Sequence, residues 1–457
     1  MNKRILGAIV VVIIVLAAVL VAAWQLNLFA PVQKIKIGIV AGMSTVEGQD
    51  IQRAAQLAID EINAAGGIWV EDLGKNLTIE LVLVDTVDDA SGSTAGPVTK
   101  AIKDQGVDIL IGGATTGGTL TGQIPAIENR VPYIITGASL NLVTRRGSLP
   151  ADNPLYIGDA EGMSYMFHYC TTISDYSKTI THFLADSVKA KLDSTYDFDS
   201  GRKLRLAVLH RDDGYGRGVR DVTSSIIAAD NLPIEVVANV SYAPTATSYQ
   251  SQLILVKESN PDAVYVAGFT ADTAEIIKEG LNDVGLKSLY IAVEICEDPQ
   301  FYSLLGETGS FQILESKVAT QWQGETWYLP QVGAYVENYK AKFNGIVPGM
   351  LGADTYDAVY IYKDAIERAG TLGKAAIRDA IATTDLPQSL LIMENQRIKF
   401  STDFREILPK TFIEQLIWNP DQNALKPYVV YPDSMPGIAE FKQADFSLPP
   451  DYEPGSP

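Results

Sequence analysis

The sequence predicts an α/β protein of two tandem lobes, each built on a doubly wound parallel sheet. One transmembrane helix is predicted before the first lobe. Three observations support this prediction: an alternation of strand and helix patterns from residue 34, its restart after a break at residues 146–165, and an uncharged apolar run near the N-terminus. Strict alternation of strands and helices places helices on both faces of a parallel sheet. The length of 457 residues suits two or three domains.

The apolar run predicts a membrane anchor. Ile5–Trp24 contains no charged or strongly polar side chain, and as a helix it would be about 30 Å long, enough to cross the hydrocarbon core. Lys3 and Arg4 precede the run, so we expect the N-terminus to stay in the cytoplasm. The alternative is a signal peptide that is removed. Both interpretations place the chain from about residue 34 onward outside the cytoplasm.

Hydrophobic periodicity predicts the elements of the first half. Ile35, Ile37 and Ile39 alternate with polar or small residues, as in a strand. Gly48–Ala65 carries an apolar stripe at helical spacing. The later elements of this half are a strand at Leu77–Val84, a helix near Pro97–Asp104, a strand at Val107–Ile111, a helix at Thr119–Asn129 and a strand at Tyr133–Ile135.

The same alternation resumes in the second half. It predicts helices at Lys178–Lys191, Arg217–Ala229, Tyr249–Ser259 and Thr273–Asp283, and strands at Leu204–Leu209, Ile234–Val240, Ala263–Val266 and Leu289–Val293. Further helices are expected at about 332–343, 356–368 and 374–383, and short strands near 397–400 and 412–418. The proline-rich end, Ser447–Pro457, is predicted to be disordered.

Composition excludes several function classes. The net charge of −19 argues against nucleic acid, because binding phosphates requires a basic face. The two cysteines and three histidines lack the spacing of zinc ligands. The common hydrolase, nucleotide-phosphate and dinucleotide motifs are absent from the sequence. We therefore expect neither an enzyme nor a site for a metal or cofactor.

Ligands of parallel α/β sheets bind beyond the carboxyl ends of the strands. In the first half, the strand at Val107–Ile111 is followed by Gly112–Thr119, a run of glycines, Ala114 and threonines, and the next strand is followed by Thr136–Ser139. Small residues let the backbone approach a ligand, and hydroxyl groups can bind a carboxylate. The alternative is a pair of ordinary turns with threonine or serine caps.

In the second half, aromatic and acidic residues occupy the corresponding positions. Tyr215 stands between glycines, where it would project from the surface, or else cap the following helix. Phe269 follows the strand at Ala263–Val266. Glu294 ends a strand in an apolar setting, so a buried carboxylate there requires a cationic or donor partner. That partner could be a ligand or an internal salt bridge.

Several segments together resemble a known family. KIGIV with GQDIQRAAQLAIDEINAAGGI, LRLAVLHRDDGYGRG and DTYDAVYIYKDAIERAG are similar to segments of type I periplasmic substrate-binding proteins of ABC transporters. The branch that the sequence resembles is the leucine/isoleucine/valine-binding, or branched-chain amino-acid-binding, family. The resemblance extends over about residues 34 to 432.

The resemblance implies a ligand site made by both lobes. Thr116 lies where the family uses a hydroxyl for the ligand α-carboxylate, Tyr215 matches an aromatic residue that closes on the ligand, and Glu294 matches the acid that pairs with the ligand ammonium. The residues expected to bind ligand are Thr116, Gly137, Ser139, Tyr215, Phe269 and Glu294.

Some positions depart from the family pattern. The loop Gly42–Gly48, which contacts the ligand side chain in the family, is about three residues shorter here. The sequence therefore does not determine which ligand side chain is bound. Phe269 replaces a frequent tyrosine. The lobe 1 disulfide of several relatives is missing, and whether Cys170 and Cys296 pair with each other also stays open.

The family pattern further implies three crossings between the lobes, near residues 168, 319 and 397. Lobe 1 would comprise residues 34–167 and 320–396, and lobe 2 residues 168–319 and 397–432. Residues 1–33 would form the cytoplasmic tip, anchor and linker, and residues 433–457 a C-terminal tail. Three connecting segments form a hinge that permits closure around a ligand.

We therefore expect a solute-binding protein that captures a small ligand, either an amino acid or a related amide. It would deliver this ligand to the permease and ATPase subunits of an ABC importer, from a single-pass anchor in the cell membrane with the binding domain on the extracytoplasmic side. A ligand-sensing ectodomain that acts through a partner signalling protein is the alternative. A secreted enzyme is the third hypothesis, and it is disfavoured because the histidines lie outside the predicted cleft loops.

Overall fold

The computed structural model describes most of the chain beyond the predicted anchor, which lies outside the described residues. The described residues are 33–86, 94–198, 201–322, 327–387, 389–435, 438 and 441–455. Within these ranges, no helix combines the length and the apolar character needed to cross a bilayer. The chain divides into a unit Met1–Ile35, nearly all of it outside the described residues, and a unit Lys36–Pro457 that contains the features below.

The first sheet has the strand order β4-β1-β5-β6-β7 within the described residues. Its pairs β1–β5, β5–β6 and β6–β7 are parallel, as predicted. A small antiparallel hairpin, β2–β3, stands apart from this sheet. The strands are β1 (Ile35–Ala41), β2 (Ile68–Val70), β3 (Lys75–Leu77), β4 (Ile79–Asp85), β5 (Ile109–Gly112), β6 (Tyr133–Ile135) and β7 (Met166–His168).

Helices cover the first sheet because their apolar stripes need burial. Ile51, Ala55 and Ile62 of the first helix are buried, in agreement with the predicted stripe. The helices of this part are α1 (Val46–Ala64), α2 (Ala95–Lys103), α3 (Thr116–Glu128), α4 (Leu142–Arg145) and α5 (Ala160–Met163).

The second sheet has the strand order β14-β13-β12-β11-β10-β8-β9 in the described part of the chain. The pairs from β9 to β12 are parallel, whereas β13 and β14 pair antiparallel with their neighbours. The strands are β8 (Leu204–Arg211), β9 (Ile234–Tyr242), β10 (Ala263–Ala267), β11 (Leu289–Ala292), β12 (Ile313–Ser316), β13 (Phe412–Asn419) and β14 (Ala424–Tyr431). The strand predicted near 397–400 is wrong: Ile398 makes only an isolated bridge with Leu386.

The remaining helices divide between the two sheets. Helix α13 packs on α1, and its Tyr362 hydroxyl donates to the carbonyl oxygens of Leu110 and Pro132 at 2.8 Å, so it belongs with the first sheet. These helices are α6 (Ile173–Phe183), α7 (Lys189–Tyr196), α8 (Gly214–Ala229), α9 (Gln250–Glu258), α10 (Thr270–Lys278), α11 (Pro299–Leu305), α12 (Pro330–Lys342), α13 (Met350–Ala369) and α14 (Lys374–Ala382).

We call the part around the first sheet lobe 1 and the part around the second sheet lobe 2. The chain passes from the first sheet to the second after His168, returns between Ser316 and Pro330, and passes again between Ala382 and Phe412. The lobes touch where the Met350 amide, at the start of α13, donates to the Glu297 carbonyl oxygen at 3.0 Å.

The C-terminal segment packs on lobe 2 over 441–455, so the disorder predicted for Ser447–Pro457 is wrong over 447–455, the part that the structure describes. Phe446 packs edge-on against Phe183, with ring centroids 5.3 Å apart. Tyr452 is buried, and its hydroxyl donates to the Asp262 carbonyl oxygen at 3.0 Å. The Gly455 amide donates to the Asp262 carboxylate, which also pairs with Arg202. These aromatic contacts outweigh the proline-rich composition because they bury apolar area on the lobe 2 core.

We predict that Tyr452→Ala lowers the free energy of unfolding by about 3 kcal/mol, because it empties an aromatic site in the core. Tyr428→Ala is the matched control, since Tyr428 is 40% exposed whereas Tyr452 is 7% exposed. The control should lose no more than about 1 kcal/mol. Urea unfolding of the purified chain measures both values. Equal losses in the two variants would show that the docked segment does not stabilise lobe 2.

Candidate functional site

A small cavity lies between the carboxyl ends of the two sheets, and all six predicted ligand residues line it. Its volume is about 20 Å³, which is room for about one water molecule. The lobes therefore pack closely here, and a larger ligand requires them to separate. The lining residues are Ala114, Thr116, Gly137, Ser139, Tyr215, Phe269, Val293, Glu294, Ile295 and Met350.

The turn after β5 needs glycine for steric reasons. Gly112 has a φ of +116°, and a Cβ there would lie 2.2 Å from the Val40 carbonyl oxygen. Gly113 also has a positive φ. The Thr115 hydroxyl then caps α3 by accepting from the Gly118 amide at 3.2 Å. This turn brings Thr116 to the start of α3, three residues earlier than the sequence predicted.

Thr116 contributes a buried hydroxyl to the cavity. The residue is 3% exposed, and its Oγ1 has no hydrogen-bond partner among the described residues. Ser139 lies on the neighbouring loop, where its hydroxyl is 3.4 Å from the Tyr176 hydroxyl. At Gly137, a Cβ would come within 2.8 Å of the Ala114 Cα atom, so the two loops can pack together only through glycine. Lobe 1 thus presents neutral hydroxyl groups at a helix N-terminus, a setting that favours an anion.

Two stacked aromatic rings form the lobe 2 wall. The rings of Tyr215 and Phe269 have centroids 5.7 Å apart at an angle of 30°. The Arg211 guanidinium lies 4.3 Å from the centre of the Phe269 ring and pairs with Asp272 at 2.8 Å. The Asp272 carboxylate also accepts from the Phe269 amide at 2.8 Å. Phe269 is therefore held from both its backbone and its ring face.

Glu294 is buried beside an internal cation. It is 3% exposed, and its Oε2 atom lies 3.5 Å from Lys317 Nζ. Lys317 is fully buried and makes a shorter pair, of 2.6 Å, with Asp354 on α13. The Cys170 thiol donates to Glu294 Oε1 at 3.8 Å. The structure thus contains the internal salt bridge that the sequence left open, although Glu294 Oε2 accepts no hydrogen bond from the described residues.

Burial and charge act in opposite directions in this cluster. Burial raises the pKa of Glu294, and the Lys317 ammonium opposes that rise. Burial also raises the pKa of Asp354 well above its ordinary value, again opposed by Lys317. For Lys317, burial alone would lower the pKa, but Asp354 and the other neighbours raise it overall. Glu315 lies nearby, and burial followed by the Glu294 charge raises its pKa well above the ordinary value.

Sequence reasoning missed Lys317 and Asp354. Lys317 directly follows β12, a strand that the periodicity did not predict, and Asp354 lies in the first turns of α13, before the predicted helix start. The one available signal was the charge of Lys317 within the short segment ESKVA, since a buried lysine needs a carboxylate partner. The cysteines, whose pairing was left open, are both buried free thiols.

Comparison with known proteins identifies the family. Residues 34–404 match the periplasmic binding protein family model. The chain belongs to this family. The Leu/Ile/Val-binding protein homolog 7 of Brucella abortus is 22% identical over 379 residues, which cover 81% of this chain and 86% of the relative. The predicted resemblance is thereby confirmed.

Solved structures show the same fold. The branched-chain amino acid transporter substrate-binding protein LivJ of Streptococcus pneumoniae, in complex with isoleucine, has a TM-score of 0.68 at 23% identity and covers 88% of this chain and 100% of its own. A solute-binding protein of Rhodopseudomonas palustris in complex with 3,4-dihydroxybenzoic acid has a TM-score of 0.69 at 17% identity, with coverage of 88% and 99%. The family and these neighbours are solute-binding proteins, not enzymes.

We predict that Lys317→Met lowers the free energy of unfolding by about 3–5 kcal/mol, because it leaves two buried carboxylates without their cation. The double variant Lys317→Met/Asp354→Asn should recover most of this loss, since it removes both members of the shortest pair. Lys340→Met is the control, because Lys340 forms an exposed pair with Glu337 and should change stability by at most about 1 kcal/mol. Urea unfolding measures all three, and a Lys317→Met loss no larger than the control would contradict the buried pair.

Proposed function

We propose that this protein captures an amino acid, or a related small amide, between its lobes and delivers it to an ABC importer. One observation carries the proposal. Two buried atoms, Thr116 Oγ1 on lobe 1 and Glu294 Oε2 on lobe 2, line the same cavity without a hydrogen-bond partner among the described residues. A hydroxyl donor suits a carboxylate, and a carboxylate suits an ammonium, so together the two atoms suit a zwitterion.

Lobe closure follows because the two ligand-binding groups, Thr116 and Glu294, lie on different lobes. A ligand that binds Thr116 and Glu294 at the same time must touch both lobes, so binding favours a form in which the lobes are closed around the ligand. The stacked Tyr215 and Phe269 rings exclude water from these contacts, which strengthens the electrostatic interactions. The permease and ATPase subunits would then recognise the closed form.

The relatives support a ligand with a carboxyl group. They do not determine whether the ligand also carries an amine, which depends on the residues of this chain. The Brucella relative is named a Leu/Ile/Val-binding protein homolog, and the two solved neighbours described above hold isoleucine and 3,4-dihydroxybenzoic acid. Both small molecules carry a carboxyl group, and only isoleucine carries an amine. Glu294 favours the amino acid here, because a buried carboxylate repels an aromatic acid that brings no cation.

The same proposal includes the predicted domain division. Lobe 1 comprises 34–167 with 320–396, and lobe 2 comprises 168–319 with 397–432. Apart from the β2–β3 hairpin, the strands up to His168 belong to one sheet and the strands from Leu204 to Tyr431 to another, which supports the division. In the tail 433–457, the described residues 441–455 serve as a segment docked on lobe 2, since Tyr452 packs there.

We predict that Glu294→Gln weakens binding of the best amino-acid ligand by about 2–5 kcal/mol, or roughly 30- to several-thousand-fold in Kd. The ligand comes from a thermal-shift screen of amino acids, amides and aromatic acids, and calorimetry measures Kd. Thr116→Ala should cost less, about 1–3 kcal/mol, because one neutral donor is lost.

Glu337→Gln is the matched control, since Glu337 is exposed on α12. It should bind like the parent. If Glu294→Gln also binds like the parent, the ligand places no ammonium at this carboxylate, and the amino-acid proposal fails while the fold stands.

We predict that Ile5–Trp24 anchors the full-length chain, so the protein should sediment with membranes and require detergent for release. A chain that starts at Pro31 should stay in the soluble fraction. N-terminal sequencing of the protein isolated from cells provides the check. A mature N-terminus between Ala23 and Gln33 would demonstrate cleavage instead.

A further inference from the structure

We propose that Lys317 is the positioning residue that keeps Glu294 in the charged form that accepts a ligand ammonium, with Asp354 holding Lys317 in place. This inference rests on the proposed function, because it concerns the same cleft. Lys317 does not line the cavity itself. It acts through Glu294, from behind the cavity wall.

The Lys317 ammonium is held by Asp354 and faces Glu294. Lys317 Nζ lies 2.6 Å from Asp354 Oδ2 and 3.5 Å from Glu294 Oε2, and it donates to the Cys170 sulfur at 3.5 Å. The ammonium is therefore tied to Asp354 and reaches Glu294 only at ion-pair distance. An ammonium held in this way stabilises the ionised form of Glu294. Because Lys317 makes its hydrogen bond to Asp354, Glu294 Oε2 can still accept a hydrogen bond from a ligand.

Acidic groups outnumber cations around Glu294. Among the titratable groups of the described residues that surround it, Lys317 supplies the cation, and the others are acids, phenols or a thiol. Without Lys317, a buried carboxylate would face further acidic groups, a setting that favours its protonated form. The surrounding titratable and charged groups are Cys170, Asp175, Tyr176, Tyr215, Tyr265, Glu315, Lys317 and Asp354.

Lys317 also affects what the cleft offers a ligand. Its charge is balanced by the Asp354 carboxylate at 2.6 Å, so an ionised Glu294 keeps its negative charge for the ligand. A neutral Glu294 would offer a ligand ammonium only a weaker, uncharged acceptor. Lys317 therefore keeps the carboxylate that accepts a ligand ammonium in its charged form.

Infrared difference spectroscopy tests the charge of Glu294 without any ligand. The spectrum of each protein minus that of its Glu294→Gln counterpart isolates this carboxyl group at about pH 7. With Lys317 present, we expect the signature of a carboxylate. With Lys317→Met, we expect that of a protonated carboxyl group, and Lys317→Arg should restore the carboxylate because arginine stays charged. A protonated Glu294 in the parent, or an ionised Glu294 in Lys317→Met, overturns the proposal.

The double variant Lys317→Met/Asp354→Asn covers the case in which Lys317→Met does not fold. It also keeps the net charge of the cluster, because it removes one positive and one negative group. Protonation of Glu294 in this variant therefore assigns the effect to the neighbouring ammonium and not to net charge. An ionised Glu294 in the double variant overturns the proposal as well.

A binding titration with L-leucine as the probe separates this inference from the proposed function. Between about pH 6 and 8, leucine should bind the parent with constant affinity, and it should bind Lys317→Met roughly tenfold more weakly for each pH unit below the raised pKa of Glu294. Equal pH slopes in both proteins count against the inference. If the parent binds no amino acid in the screen, the proposed function fails, and the infrared result still decides the role of Lys317.

Discussion

Burial of the Glu294 carboxylate constrains the structure around the cleft. A charge in an apolar site is stable only with a cation or several donors nearby. Lys317 meets that requirement and creates a second one, because a fully buried ammonium needs its own carboxylate, which Asp354 supplies at 2.6 Å. Asp354 lies on α13, which packs with lobe 1, whereas Glu294 follows β11 of lobe 2. The contacts from Glu294 to Lys317 and from Lys317 to Asp354 thereby connect the two lobes behind the cavity.

The cavity itself depends on backbone geometry more than on charge. Gly112 allows the chain to turn away from β1, and Gly137 allows the neighbouring loop to approach it. With larger residues at either position, the loops that carry Thr116 and Ser139 could not pack as closely. The lobe 1 face is therefore set by close packing, and the lobe 2 face by aromatic stacking that Arg211 and Asp272 hold in place.

The family resemblance predicted that Thr116 and Glu294 line one site, and both residues follow strands of parallel sheets, where ligands bind beyond the carboxyl ends. The sequence did not predict Lys317 and Asp354, because a buried ion pair between residues 37 positions apart leaves no periodic signal. The ordered C-terminal segment was missed for another reason. Prolines and glycine dominate its composition, and the anchoring side chains, Phe446 and Tyr452, are too few to form a pattern. The antiparallel pair β13–β14 likewise lies outside the strand–helix alternation that guided the prediction.

In the proposed function, the two ends of the cleft discriminate by different physical means. A ligand without a carboxylate leaves the Thr116 hydroxyl unsatisfied, which costs roughly 1–3 kcal/mol for a buried neutral group. A ligand without an ammonium leaves Glu294 charged and buried, but Lys317 at 3.5 Å still compensates part of that charge. The internal cation therefore lowers the penalty for the wrong ligand while keeping Glu294 charged for the right one. Tight selection at this end consequently depends on the hydrogen bond to Glu294 Oε2, an interaction that Lys317 leaves unmade and that a ligand ammonium can form.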